Sequence, residues 1–158
     1  MFKATLLVLV ATHGLCNPVG QATKPIIKHF AWNEFAENTG INEKLYIRTP
    51  SKGVDETFEC TPGPGPNRLS CPSAISAWDN LAEDSYLHVN ESECISATKD
   101  LCRTVVCAPL GDLKIHIEEI VGRMWDPLSI RCVLGGTGGI LQSDDSTFVL
   151  EMGKPKSV

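Results

Sequence analysis

Seven cysteines, four histidines and one Asn-x-Ser triplet are the residues whose types and spacing could do chemistry in this 158-residue chain. Cys60, Cys71, Cys94, Cys102, Cys107 and Cys132 can close three disulfides; alternatively Cys102, Cys107 and His116 could hold a metal ion. Tyr86, His88, His116, Glu118 and Glu119 lie close together in sequence, and an imidazole and a carboxylate facing one cleft is a general acid–base pair. No Gly-x-Ser-x-Gly elbow marks a serine nucleophile. The run Gly135-Gly-Thr-Gly-Gly139 lacks the following Lys-Ser/Thr of a phosphate cradle, so it reads as a wide hairpin connection. Trp32, Trp78 and Trp125 could form a sugar-stacking face, although tryptophan more commonly serves the core. Nothing in the sequence calls for a cofactor.

The first 16 residues decide among these chemistries. Basic Lys3, the apolar run Leu6 to Ala11, and small Gly14 and Cys16 three residues and one residue before a cut form a secretory signal peptide. A secreted chain folds in an oxidising compartment, which favours disulfides over a cysteine metal site. Cleavage after Cys16 leaves six cysteines in residues 17–158. Cleavage after Gly14 would leave Cys16 as an odd thiol suited to joining two copies, so a homodimer stays open. The apolar run is far shorter than the roughly 20 residues that span a bilayer, and no later segment approaches that length.

Cys60 and Cys71 flank Thr61-Pro-Gly-Pro-Gly-Pro66 and would close the base of a hairpin-like excursion. The other four permit three connectivities, of which Cys94 with Cys102 and Cys107 with Cys132 is the preferred reading. Asn90-Glu-Ser92 is an N-glycosylation sequon at the end of a predicted strand.

About 140 mature residues fit a single domain with a core of its own. Lys3 leaves with the leader, so 14 Lys and Arg become 13 against 19 acidic residues, a net charge of minus six. With no Lys/Arg run, nucleic acid is not an expected partner. The acidic residues between Asp79 and Asp100 read as a solvated face.

Alternating apolar and polar residues predict strands at Leu45–Thr49, Thr57–Cys60, Tyr86–Asn90, Thr104–Cys107, Leu113–Glu118, Leu128–Leu134 and Thr147–Met152. Three-and-four spacing predicts a short helix over Ser73–Ala82 behind Pro72, and a weaker one over Glu91–Lys99. Residues Glu151–Val158 read as a loose tail. The fold class is therefore mainly β: a compact, disulfide-stabilised β-barrel or β-sandwich with one or two short helices.

The order Phe30-Ala-Trp-Asn-Glu-Phe35, Leu45-Tyr-Ile-Arg-Thr49, Thr57-Phe-Glu-Cys60 and Leu69-Ser-Cys71 resembles the Alternaria major-allergen family of small secreted fungal proteins. The resemblance covers about a third of the mature chain. It implies a compact β-barrel without a catalytic triad, released by a plant-associated fungus as an effector or elicitor that binds a host extracellular or host-cell protein. Its first-bridge cysteines fall on Cys60 and Cys71. The chain departs from the family in its four later cysteines, in the helix-like segment, and in lacking a secure counterpart of the family's dimer-forming cysteine. Secreted guanyl-specific ribonucleases offer the second expectation, through His88 or His116 with a carboxylate. They also require a well-placed arginine and a second histidine near the chain end, and no histidine follows His116. A carbohydrate-binding module acting through an exposed tryptophan is the third.

Overall fold

The computed structural model describes residues 24–41 and 56–155. The segment read as a signal peptide, Cys16 and the predicted strand Leu45–Thr49 lie outside them. The elements are β1 (Ile26–Ala31), α1 (Trp32–Thr39), β2 (Glu56–Thr61), α2 (Cys71–Ser76) continued by a 3-10 turn (Ala77–Asn80), β3 (Tyr86–Val89), β4 (Glu93–Lys99), β5 (Cys102–Ala108), β6 (Leu113–His116), α3 (Ile117–Arg123), a wide-turned π-helical segment (Met124–Val133) kinked at Asp126, whose backbone is extended before Pro127, β7 (Gly138–Ser143) and β8 (Val149–Gly153). Six strands form one antiparallel sheet in the order β1-β4-β5-β8-β7-β2, and β3 pairs with β6 in a separate two-stranded ribbon. The fold is mainly β and compact, with short helices and three disulfides. Among the described residues the sheet is open rather than closed into a barrel, with β1 and β2 at its two ends.

The sheet is covered on both faces. Ile95, Ala97, Val106, Leu141, Leu150 and Met152 point into the larger core, against α2, α3, the π-helical segment and the inner side of the ribbon. Cys94, Val105, Cys107, Ile140 and Val149 point the other way, beneath Phe35 and Ala36 of α1. Strand side chains alternate between faces, so a strand buried on both loses its alternating pattern. This corrects the helix read over Glu91–Lys99: it is β4, whose Cys94, Ile95, Ser96 and Ala97 are all buried. Burial of every residue of β7 likewise removes its alternation, and Gly138 and Gly139, expected in a hairpin connection, are its first two residues.

Leu128–Leu134 is helical, not a strand. Leu128, Ser129, Cys132 and Val133 face inward while Ile130 and Leu134 are exposed, and the Leu134 N–H donates five residues back to the Ser129 carbonyl at 2.9 Å. The strand read over Leu113–Glu118 stops at His116, because Ile117 also begins the helical series Ile117, Ile120, Val121, Met124. The tail read from Glu151 is ordered through β8, where Glu151 and Met152 are buried. The helix over Ser73–Ala82 is matched by α2 and its 3-10 turn.

The six cysteines pair as Cys60–Cys132, Cys71–Cys102 and Cys94–Cys107, which corrects all three expected pairings. The Pro-Gly loop is not a hairpin excursion. It crosses the end of the sheet, with the Gly65 N–H donating to the Gly136 carbonyl at 2.7 Å and Asn67 N–H to Leu101 at 3.0 Å, and delivers Cys71 beside Cys102. A Cβ on Gly65 would fall on the Thr137 backbone, so only glycine permits that crossing. Cys102 and Cys107, five apart on one strand, face opposite sides. Cys107 stands opposite Cys94 in the ladder, whereas Cys102 meets α2 on the other face. Cys60 bridges to Cys132 above its cross-strand partner Gly139, where a Cβ would come within 3.0 Å of Cys132 Sγ.

Trp78 is fully buried, and its indole N–H donates to Thr104 Oγ1 at 2.8 Å. Thr104→Val removes that acceptor at nearly constant volume and leaves a buried donor unpaired, an expected loss of about 1–3 kcal/mol. Urea unfolding with an unchanged m-value and a lowered midpoint checks it; an unchanged midpoint would refute the role given to this bond.

Candidate functional site

The two-stranded ribbon is amphipathic by construction. Leu87, Val89, Leu113 and Ile115 turn inward, and the register sets Tyr86 opposite His116 and His88 opposite Lys114 on the outer side. The His116 ring meets Tyr86 edge-on, with centroids 5.4 Å apart, and Lys114 Nζ lies 5.0 Å from the Tyr86 centroid. His116 is also the N-cap of α3, its Nδ1 accepting the Glu118 N–H at 3.4 Å.

Beside this face opens a cleft of about 780 Å³. The ribbon contributes Tyr86, Lys114 and His116, α3 contributes Glu119 and Arg123, and the β7–β8 turn contributes Asp144, Asp145 and Phe148, with Asp112 at the end near β6. Several of these charges already serve the fold. Glu119 and Arg123 form an i,i+4 pair at 2.9 Å, and Arg123 lies over the Phe148 ring at 5.3 Å. Asp145 accepts from Thr147 N–H at 3.1 Å and Thr147 Oγ1 at 2.8 Å. Asp112 accepts the Glu91 N–H at 2.9 Å. Among the described residues, the Lys114 ammonium has only the Tyr86 ring as a partner, and the Asp144 carboxylate has none. The cleft therefore offers a cation, a phenol, an imidazole edge and a carboxylate to a ligand.

The structure thus brings Tyr86, His116 and Glu119 together and adds Lys114 and Arg123, which the sequence reading passed over. The four-residue spacing of Glu119 and Arg123 was the available signal for the second. Glu118 stands out in solvent, its side chain 88% exposed, and His88 shares the outer ribbon face without lining the cleft. The metal reading of Cys102, Cys107 and His116 fails because both cysteines are in disulfides. The tryptophans do not share a face. Trp78 is core, Trp32 packs on Phe35 with centroids 5.7 Å apart, and Trp125 is 41% exposed on the π-helical segment. Asn90 is exposed.

A second cavity of about 410 Å³ lies on the α1 side of the sheet, lined by Lys28, Glu34, Phe35, Ser96 and Arg103 among others. Its charged floor is largely satisfied. Arg103 Nη2 donates to Glu151 Oε2 at 2.6 Å, leaving Arg103 Nε buried without a partner among the described residues.

The β7–β8 turn that forms one wall of the cleft has a titratable latch. The backbone N–H and then the hydroxyl of Thr147, followed by Ser143, hold the Asp145 carboxyl below its ordinary value of 3.8. A depressed folded value stabilises above pH 3.8, and that contribution disappears as the pH falls through the folded value. Asp145→Asn should therefore be less stable than the parent near neutrality, with the difference closing in acid below pH 3.8; thermal melts across that range check it. A constant difference at every pH would contradict the latch. No family model, curated protein or solved structure matches the chain.

Proposed function

We propose that this chain is a secreted, disulfide-held protein of effector or elicitor type that acts by binding a host component, without catalysis. The observation that carries the reading is the division of labour in the cleft. Glu119, Arg123 and Asp145 are engaged in holding α3 and the β7–β8 turn, while Tyr86 and Lys114 stand on the outer face of the ribbon and Asp144, on the turn, lines the cleft without a partner among the described residues. Groups locked by structural partners are poor proton carriers, and exposed groups on a stiff ribbon suit recognition. The disulfides suit the oxidising extracellular setting that the leader implies.

A second reading, ribonuclease-like hydrolysis, is favoured by one observation: Tyr86, His116, Glu119 and Arg123 share one cleft, and a phosphodiester there would meet Lys114 and Arg123. It ranks second because Arg123 is turned onto Glu119 and Phe148.

Leaf tissue treated with the purified protein should show a raised reactive-oxygen burst, or a suppressed response to chitin fragments, and a reduced and alkylated sample should lose the effect. Tyr86→Ala with Lys114→Ala should abolish it. An unchanged circular-dichroism spectrum and melting midpoint of the double variant checks that the fold is retained. Full activity in the doubly substituted protein would move the contact surface elsewhere. RNA cleavage that disappears in His116→Ala with folding intact would establish the second reading instead.

A further inference from the structure

We propose that Asn90 carries an N-linked glycan, and that this glycan stands at one end of the cleft. Asn90-Glu-Ser92 is the chain's single Asn-x-Ser/Thr sequence, and the structure puts all three residues in solvent on the turn between β3 and β4. The turn is closed by the Glu93 N–H donating to the Asn90 carbonyl at 3.1 Å, with Ser92 at φ 60°. The Ser92 backbone is fastened on both sides, its N–H to Ala108 at 2.7 Å and its carbonyl to the Trp32 N–H at 2.8 Å. The Asn90 and Ser92 side chains are thus displayed outward from a fixed backbone.

The chemistry is compatible with the contacts in place. Transfer joins Asn90 Nδ2 to the anomeric carbon of a lipid-pyrophosphate-linked oligosaccharide, breaks that carbon's bond to the pyrophosphate oxygen, and releases one amide proton. A primary amide has two such protons. One proton therefore remains on Nδ2, which now donates to Glu93 Oε2 at 2.8 Å. The next residue in the sequon, Glu91, donates its N–H to Asp112, which lines the cleft. The sugar therefore borders the cleft on its Asp112 side.

The proposal rests on the secretory reading, and the two can be separated. The full chain, with its own leader, is expressed in a eukaryotic secretory host, and both medium and cell fractions are treated with an amidase that releases N-glycans. A mobility shift removed by the enzyme, with Asn90 converted to Asp in the peptide mass, is expected. Asn90→Gln and Ser92→Ala should each abolish the shift, the second with Asn90 itself still present. Unmodified protein in the medium would overturn the glycan and leave secretion standing; unmodified protein retained in the cell would overturn both. Lys114 should react several-fold faster with a bulky amine-directed reagent once the glycan is released, and equal rates would overturn its placement at the cleft.

Discussion

One buried hydrogen bond, from the Trp78 indole to Thr104 Oγ1, sets where the helical layer sits on the sheet. Thr104 is on β5, an interior strand, and its hydroxyl also donates to the Ala97 carbonyl of β4 at 3.2 Å. A large ring buried without a partner for its N–H would carry a desolvation cost, so its position is set by polarity as well as by shape. The Cys71–Cys102 bridge fastens the start of the same helical segment to the start of the same strand. By loop entropy, a closure of this length stabilises by about 4 kcal/mol. Bridge and hydrogen bond hold α2 and its 3-10 turn at both ends.

From that clamp the chain runs directly to the cleft. Leu81 N–H donates to the Trp78 carbonyl at 2.9 Å, Glu83 and Tyr86 exchange backbone hydrogen bonds at 2.9 and 2.8 Å, and β3 begins at Tyr86. The Ile117 N–H, at the start of α3, donates to the Ser85 carbonyl at 2.9 Å. The first residue of the ribbon and the first turn of α3 are thus tied to one short stretch of chain that Trp78 anchors. Tyr86, His116 and Glu119 converge because their elements share that origin. The opposite wall is built independently, by the Ser143–Phe148 hydrogen bonds and the Asp145 latch.

The ribbon strands, with one wet face, were legible in the sequence by alternation. Of the strands buried on both faces, β5 and β8 were legible from the runs Thr104–Cys107 and Thr147–Met152 but β4 and β7 were not, and the largely exposed β1 carries no alternating signal. β3 and the start of β6 announce themselves by alternation, because Tyr86, His88, Lys114 and His116 face solvent or the cleft. β4 and β7 do not, because the helices cover one side of their sheet and α1 the other. Leu128–Leu134 mimicked alternation within a π-helical turn. Local spacing named the six cysteines but not their partners, since pairing depends on which face of β5 each one occupies and on the course of the Pro-Gly loop. Tyr86, His116 and Glu119 could be suspected from their proximity in sequence. Lys114 required the ribbon register, and Asp144 required the fold of a distant hairpin.

Hydrogen exchange on the parent and on Trp78→Phe most directly tests whether the clamp positions the cleft. The substitution keeps an apolar ring while removing the N–H that reaches Thr104. The account predicts that exchange accelerates first in the ribbon amides of β3 and β6 and at the start of α3, with the β7–β8 hairpin changed much less. Acceleration spread equally over every element, or a ribbon as protected as in the parent, would contradict it.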